Sequence, residues 1–302
     1  MTKIHVTVPA TSANLGPGFD CLGLALNLYN RVTFTAVTTP TLTIAINGTD
    51  AHKVAADESN LVYQCANIIF EKVGQRPSGL HIQQENNIPV GSGLGSSSTA
   101  VLAGLLGANE LVGRPYTLRQ LCQFATKIEG HPDNVAPALY GGLVLGISDE
   151  HGLCLEQFDL PDMKVVVVLP DVHLLTKEAR AALPQQVSLN DTIFNASRTP
   201  LLIHALQTAD YDKLAIAMQD KLHQPYRIPL IPGMAEAFTA AKAAGAKAVA
   251  LSGAGPSLIA FAADGHEVVG EVVTAVFADI SVDSRTWILE IDRGGCRVGM
   301  ST

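Results

Sequence analysis

The chain has 302 residues, 47% of them hydrophobic and only 16% charged, so it can bury a large core and is not intrinsically disordered. Its 20 basic and 28 acidic residues give a formal charge of −8 with no Lys/Arg run to offset it, which argues against a nucleic-acid surface. At this length one large domain or two medium ones are expected.

Residues 3–9 and 30–37 alternate and are rich in Val, Ile and Thr, which predicts strands. The Gly-, Pro- and Asn-rich stretch 9–20 between them reads as a loop. Residues 41–46 are a further strand candidate. Leu61, Cys65, Ile68, Ile69 and Val73 recur at helical spacing within 58–73, with Gly74 as the stop. A short strand at 80–84 leads into a loop ending at Gly95, an apolar helix from Ser96 to Gly113, a helix at 118–128 and a strand at 142–147. The pattern resets at 164–169, Lys-Val-Val-Val-Val-Leu, a buried strand opening a second domain. Helices near 176–183, 191–209, 211–222 and 232–244 follow. A strand at 246–251, a Gly loop at 252–256, a strand at 258–262, a helix at 266–278 and a strand at 284–291 complete an α+β chain of two domains, 1–160 and 161–302.

The five cysteines, Cys21, Cys65, Cys122, Cys154 and Cys296, are odd in number and never spaced C-x-x-C, against a disulfide scaffold or a zinc ribbon. The start has no signal-peptide pattern, and no stretch reaches the roughly 18 apolar residues of a membrane helix. A cytoplasmic protein without a membrane partner is expected.

Three segments carry candidate chemistry. In the first, Pro89, Val90, Gly91, Ser92, Gly93, Leu94 and Gly95 run into Ser96, Ser97, Ser98 and Thr99 at the start of the apolar helix. Glycines permit close approach to the backbone, and a helix N-terminus offers unpaired N–H groups and a positive dipole end, which suits phosphate. The bland alternative is a Gly-rich turn with serine caps. Neither a Walker A lysine nor the G-x-G-x-x-G spacing is present, and kinase H-R-D and D-F-G patterns are absent.

The second segment, Glu129-Gly-His-Pro-Asp-Asn134, could supply Glu129 to a magnesium ion together with a serine hydroxyl, or simply stop the helix. The third places Asn14 and Asp20 around Gly16, Pro17 and Gly18, where turn chemistry is the alternative. Residues 252–256, Ser-Gly-Ala-Gly-Pro, read as a tight connection between strands.

Together these segments resemble the homoserine kinase family of the GHMP small-molecule kinases. Residues 9–26 (PATSANLGPGFDCLGLAL) and 129–137 (EGHPDNVAP) resemble that family specifically, while the Gly-Leu-Gly-Ser-Ser run is shared across the superfamily. The resemblance implies ATP-dependent phosphorylation of the side-chain hydroxyl of L-homoserine, a step of threonine biosynthesis. It implies the triphosphate over Pro89 to Thr99 and Mg2+ shared by Ser97 and Glu129. It also implies an amino-acid pocket of Asn14, Asp20, His131, Thr176, Arg180 and Arg227, and a homodimer.

In that pocket Asp20 suits the ammonium of an amino acid, and Arg180 or Arg227 its carboxylate. Taken without the resemblance, Arg180 reads equally well as a solvated helix residue and Arg227 as a loop surface charge. Asn134 stands where many relatives carry an aspartate base; no dedicated base is then implied, with Asp20 and Asp133 as fallbacks. Asn60 is a candidate adenine contact. The implied fold is an N-terminal mixed sheet with a left-handed βαβ crossover and a ferredoxin-like C-terminal half, with 252–256 lying against the phosphate loop. Another hydroxyl acceptor (mevalonate, a sugar, an isoprenoid precursor) and a non-catalytic nucleotide or amino-acid sensor are the alternatives.

Overall fold

In the computed structural model, which describes residues 3–301, β1 (Lys3–Asn14) and β2 (Gly18–Val37) form a long antiparallel hairpin. The stretch 9–20, read as a loop from its composition, is thus mostly sheet; only Leu15, Gly16 and Pro17 turn. Burial alternates at the start of β1 and is continuous from Val8 to Asn14, so the period-2 signal disappears where both faces are covered. Asn14, Leu15 and Asp20 all hold positive φ (71°, 48° and 58°), a strained cluster at the hairpin tip.

β3 (Leu42–Gly48), α1 (Leu61–Val73) and β4 (Gly79–Asn86) make a β–α–β unit whose strands pair in parallel. Asn60 caps α1: its Oδ1 accepts from the amides of Val62 and Tyr63 and from Gln84 Nε2 at 2.8 Å, and its Nδ2 donates to Ala55 O. Its buried side chain is committed to the cap. That commitment leaves Asn60 at most one free Nδ2 hydrogen for an adenine contact.

α2 (Ser96–Leu111) runs through the centre, buried almost all round. A Cβ at its Gly104 would lie 2.3 Å from Val62 O, and one at Gly107 would lie 2.2 Å from the Phe34 ring, so α2 can pack against α1 and the sheet only with glycine there. α3 (Leu118–Glu129) starts at a reciprocal Thr117/Gln120 cap. α4 (Val135–Tyr140) and β6 (Gly152–Phe158), which pairs with β5 (Leu143–Asp149), leave no readable pattern. The first is a short helix buried on every side, and the second is a mostly exposed edge.

β7 (Lys164–Pro170) opens the second sheet. α5 (Thr176–Ala181), α6 (Leu189–Gln207) and α7 (Tyr211–Ala217) follow. The helix predicted to reach 222 stops early because Asp220 accepts the amides of Leu222, His223 and Gln224. The chain re-enters a helix as α8 (Gln224–Arg227). Next come α9 (Met234–Ala243), β8 (Ala248–Leu251), β9 (Leu258–Phe261), α10 (His266–Asp279) and β10 (Ser284–Glu290). The antiparallel sheet order β10-β7-β9-β8 and the β–α–β–β–α–β succession are ferredoxin-like.

The sheets change over between β6 and β7, but β11 (Arg297–Ser301), not legible as a strand, returns to pair with β1 and completes a seven-stranded mixed sheet. One apolar cluster is built jointly by Leu15, Leu22 and Leu94 from the first half and Val165, Val167 and Leu202 from the second. This shared core anchors both the hairpin tip and the Gly-rich loop before α2. No helix among the described residues is long and apolar enough to cross a membrane.

Candidate active site

The loop between β4 and α2 holds Gly91, Gly93 and Gly95 at φ of 68°, 80° and 72°. Gly93 is pressed on the 252–256 loop. Ser252 Oγ donates to Gly93 O at 2.7 Å, the Ser257 amide donates to Ser92 O, and a Cβ on Gly93 would lie 2.3 Å from Ser252 O. The Gly-rich connection therefore buttresses the loop before α2. Among the described residues the amides of Gly95, Ser96, Ser97 and Ser98 find no protein acceptor, which leaves a row of donors at the positive end of α2.

A cavity of about 320 Å³ opens over these donors. Its lining includes Gly91, Ser92, Gly93, Gly95, Ser96, Ser97 and Ser98 together with Asn14, Asp20, His131, Asn134, Thr176, Arg180 and Arg227. The remaining loop residues face elsewhere. Leu94 enters the shared core, Thr99 bonds Ser96 O and accepts from Asn30, Pro89 is buried, and the Val90 amide is held by Asp50.

Glu129, the last residue of α3, accepts from Ser97 Oγ and from Ser98 Oγ, each at 2.7 Å. The family resemblance pairs it with Ser97; its second serine, Ser98, is new. Beyond it the chain lies flat on β2, because Gly23 has no Cβ: one built there would be 1.7 Å from Asp133 O. Asp133, almost wholly buried, bonds the His131 ring, and this hydrogen bond raises the imidazole pKa above its ordinary value although burial opposes it. Asn134 donates from Nδ2 to Asp133 Oδ1 at 3.3 Å and accepts from Thr11 Oγ1 at 2.7 Å. Thr11 is missed by sequence reasoning, although it lies inside the 9–26 segment.

The two cationic positions differ from expectation. Asp20 and Arg180 are assigned from sequence to opposite ends of an amino acid, yet they form a bidentate pair with both contacts at 2.8 Å. Opposite charges facing across one cavity satisfy each other, and the Asp20 hydrogen bond raises the Arg180 pKa. Arg227, far from being a surface charge, is fully buried. Its Nε donates to Ala179 O, and its Nη1 donates to Gly253 O at 3.2 Å. Burial, and then Arg180, push its pKa down. His223 Nε2 donates to Gly16 O, which leaves Nδ1 as an acceptor 3.4 Å from Arg227 Nη1. Among the described residues no carboxylate forms an ion pair with Arg227. Asn14 ties the hairpin tip to the far loop through Gly253 O and accepts the Asp20 amide.

The arrangement is a helix N-terminus with free donors, a serine–glutamate cluster, and groups of both signs beside it. It suits a polyphosphate and a small zwitterion held side by side. The comparisons agree. The profile of the GHMP kinases N terminal domain matches residues 60–142, and that of the GHMP kinases C terminal matches residues 202–278. The homoserine kinase of Synechococcus sp. is 45% identical across 99% of both chains. That of Moorella thermoacetica is 45% identical, covering 90% of this chain and 92% of the other. A crystal structure of homoserine kinase from Cytophaga hutchinsonii superposes with a TM-score of 0.88 at 31% identity, covering 98% of this chain and 97% of the other. With identity sustained over nearly its full length, the chain belongs to the homoserine kinase family of the GHMP kinases.

Proposed function

We propose that this chain transfers the γ-phosphoryl group of ATP to the side-chain hydroxyl of L-homoserine. The observation that carries the reading is a single cavity joining the free amides of α2 to Asp20, Arg180 and Arg227. Relatives bearing that activity in their names support it. A cytoplasmic homodimer is part of the same reading, taken from the family resemblance.

The triphosphate lies along Gly91 to Ser98, where backbone N–H groups and the dipole of α2 meet its charge. Glu129 with the Ser97 and Ser98 hydroxyls is an all-oxygen donor set converging from two helices, which fits Mg2+. Bound there, Mg2+ would neutralise charge on the phosphate oxygens. Arg227 holds the substrate carboxylate. Asp20 takes the ammonium, so substrate binding opens the Asp20–Arg180 pair and frees the Arg180 guanidinium to join Arg227. The acceptor oxygen forms a bond to the γ-phosphorus as the bridging bond to ADP breaks. Its proton leaves with a phosphoryl oxygen, because Asn134 has no basic atom and the transition state demands mainly positioning.

Two measurements test this. ADP release with Mg-ATP should favour L-homoserine over D-homoserine, L-serine, L-threonine, mevalonate and galactose by at least about 100-fold in kcat/KM. Equal turnover of mevalonate or galactose, or none on any acceptor, would sink the reading. Glu129→Gln should lower kcat about 100-fold and raise the half-saturating Mg2+ concentration about tenfold. An unchanged magnesium dependence would remove Glu129 from the metal set.

A further inference from the structure

We propose that Thr11 is a positioning residue that decides which end of the Asn134 amide faces the acceptor hydroxyl. The inference rests on the reading of Asn134 as an acceptor-facing group. Thr11 lies on β1 and is fully buried. Its amide donates to Leu94 O at 3.1 Å and its hydroxyl donates to Asn134 Oδ1 at 2.7 Å.

The orientation follows from chemistry. One end of the Asn134 amide lies 3.3 Å from an Asp133 carboxylate oxygen. An ionised carboxylate only accepts, so that end is the NH2 group and the end meeting Thr11 is the carbonyl. Two neighbours hold the network in place. The His131 ring bonds the same Asp133 oxygen. Gly95 crosses directly over Thr11: a Cβ there would lie 2.1 Å from Oγ1 and 3.2 Å from Asn134 Oδ1.

With its carbonyl engaged by Thr11, Asn134 presents N–H to the cavity. It donates to the oxygen that attacks phosphorus and does not accept that oxygen's proton. The Thr11 main chain also fastens the phosphate loop at Leu94, so one residue of β1 aligns the acceptor-side donor with the phosphate side.

The test is a kinetic double-mutant cycle. Thr11→Val keeps the shape and removes the donor; kcat on L-homoserine should fall about 10- to 100-fold while both KM values stay within about threefold. Thr11→Ser, which keeps the hydroxyl, should retain kcat within about threefold of the parent. In an Asn134→Ala background Thr11→Val should change kcat by less than about twofold, because its effect runs through the missing amide. Effects that multiply, a Val variant with native kcat, or a Ser variant as impaired as Val would each overturn the proposal. Asn134→Ala with native turnover would overturn the underlying reading of Asn134 instead. Should Thr11→Val not fold, Thr11→Cys, similar in size but only a weak donor, carries the same cycle with an intermediate loss of kcat.

Discussion

Gly95→Ala is expected to fold and to lose about three orders of magnitude in kcat/KM. Two effects combine. Gly95 sits at φ 72°, where an L side chain is strained by about 1–2 kcal/mol. A methyl group would also lie 2.1 Å from Thr11 Oγ1, closer than any real contact. Thr11 is buried and cannot withdraw, so the loop must lift, carrying the Ser96, Ser97 and Ser98 amides away from the phosphates. A misplacement of about 1 Å at a reacting centre costs about 100-fold, and the disturbed anion donors add to it. Gly74→Ala is the control. It has the same left-handed backbone (φ 68°), but nothing lies within 4 Å of its Cβ, and it caps α1 away from the cavity. It should cost about 1 kcal/mol of stability and leave turnover intact. Steady-state kinetics beside thermal melts separate the two, and a Gly95→Ala enzyme with native turnover would refute the loop assignment.

Replacing Arg227 with Met should raise KM for L-homoserine by about 100- to 1,000-fold and leave KM for ATP within about threefold. The guanidinium is fully buried with no ion-pair partner among the described residues, and burial depresses its pKa. A fold gains little from such a charge: the desolvation cost of several kcal/mol is only partly offset by the bonds to Ala179 O and Gly253 O. Its site makes sense when a substrate carboxylate supplies the missing negative charge. The variant should therefore melt no lower than the parent while losing affinity. An unchanged KM, with a large fall in melting temperature, would make Arg227 a structural residue.

What could be read in advance was what local chemistry dictates. The phosphate loop requires glycines followed by hydroxyl residues at a helix start, and that requirement is written in adjacent positions. The helix ends at Gly74 and Gly130 are visible for the same reason. The elements of the second half show through its buried Val run and the helical stretches after it, whereas their ferredoxin-like arrangement comes from the family resemblance. The hairpin beyond Val8 is hidden because uniform burial erases alternation. α8 is hidden because Asp220, an isolated acid in sequence, shapes it by collecting three amides, and with it goes the inward turn of Arg227. The Asp20–Arg180 contact joins residues 160 positions apart; the residue types indicate a charge at each end and say nothing of whether those charges meet. The Thr11–Asn134 bond is of the same kind.

The pairing of β11 with β1 has a consequence for how the protein is made. Translation delivers β1 before the second sheet, and the ribosome must traverse that whole sheet before residues 297–301 emerge to cover the outer edge of β1. Until then a nascent chain displays the unpaired backbone edge of residues 3–7, the kind of surface that recruits other strands. Closure is a long-range event that waits on the whole second sheet, and a product truncated before Arg297 would keep the Gly-rich loop before α2 yet remain prone to intermolecular strand addition.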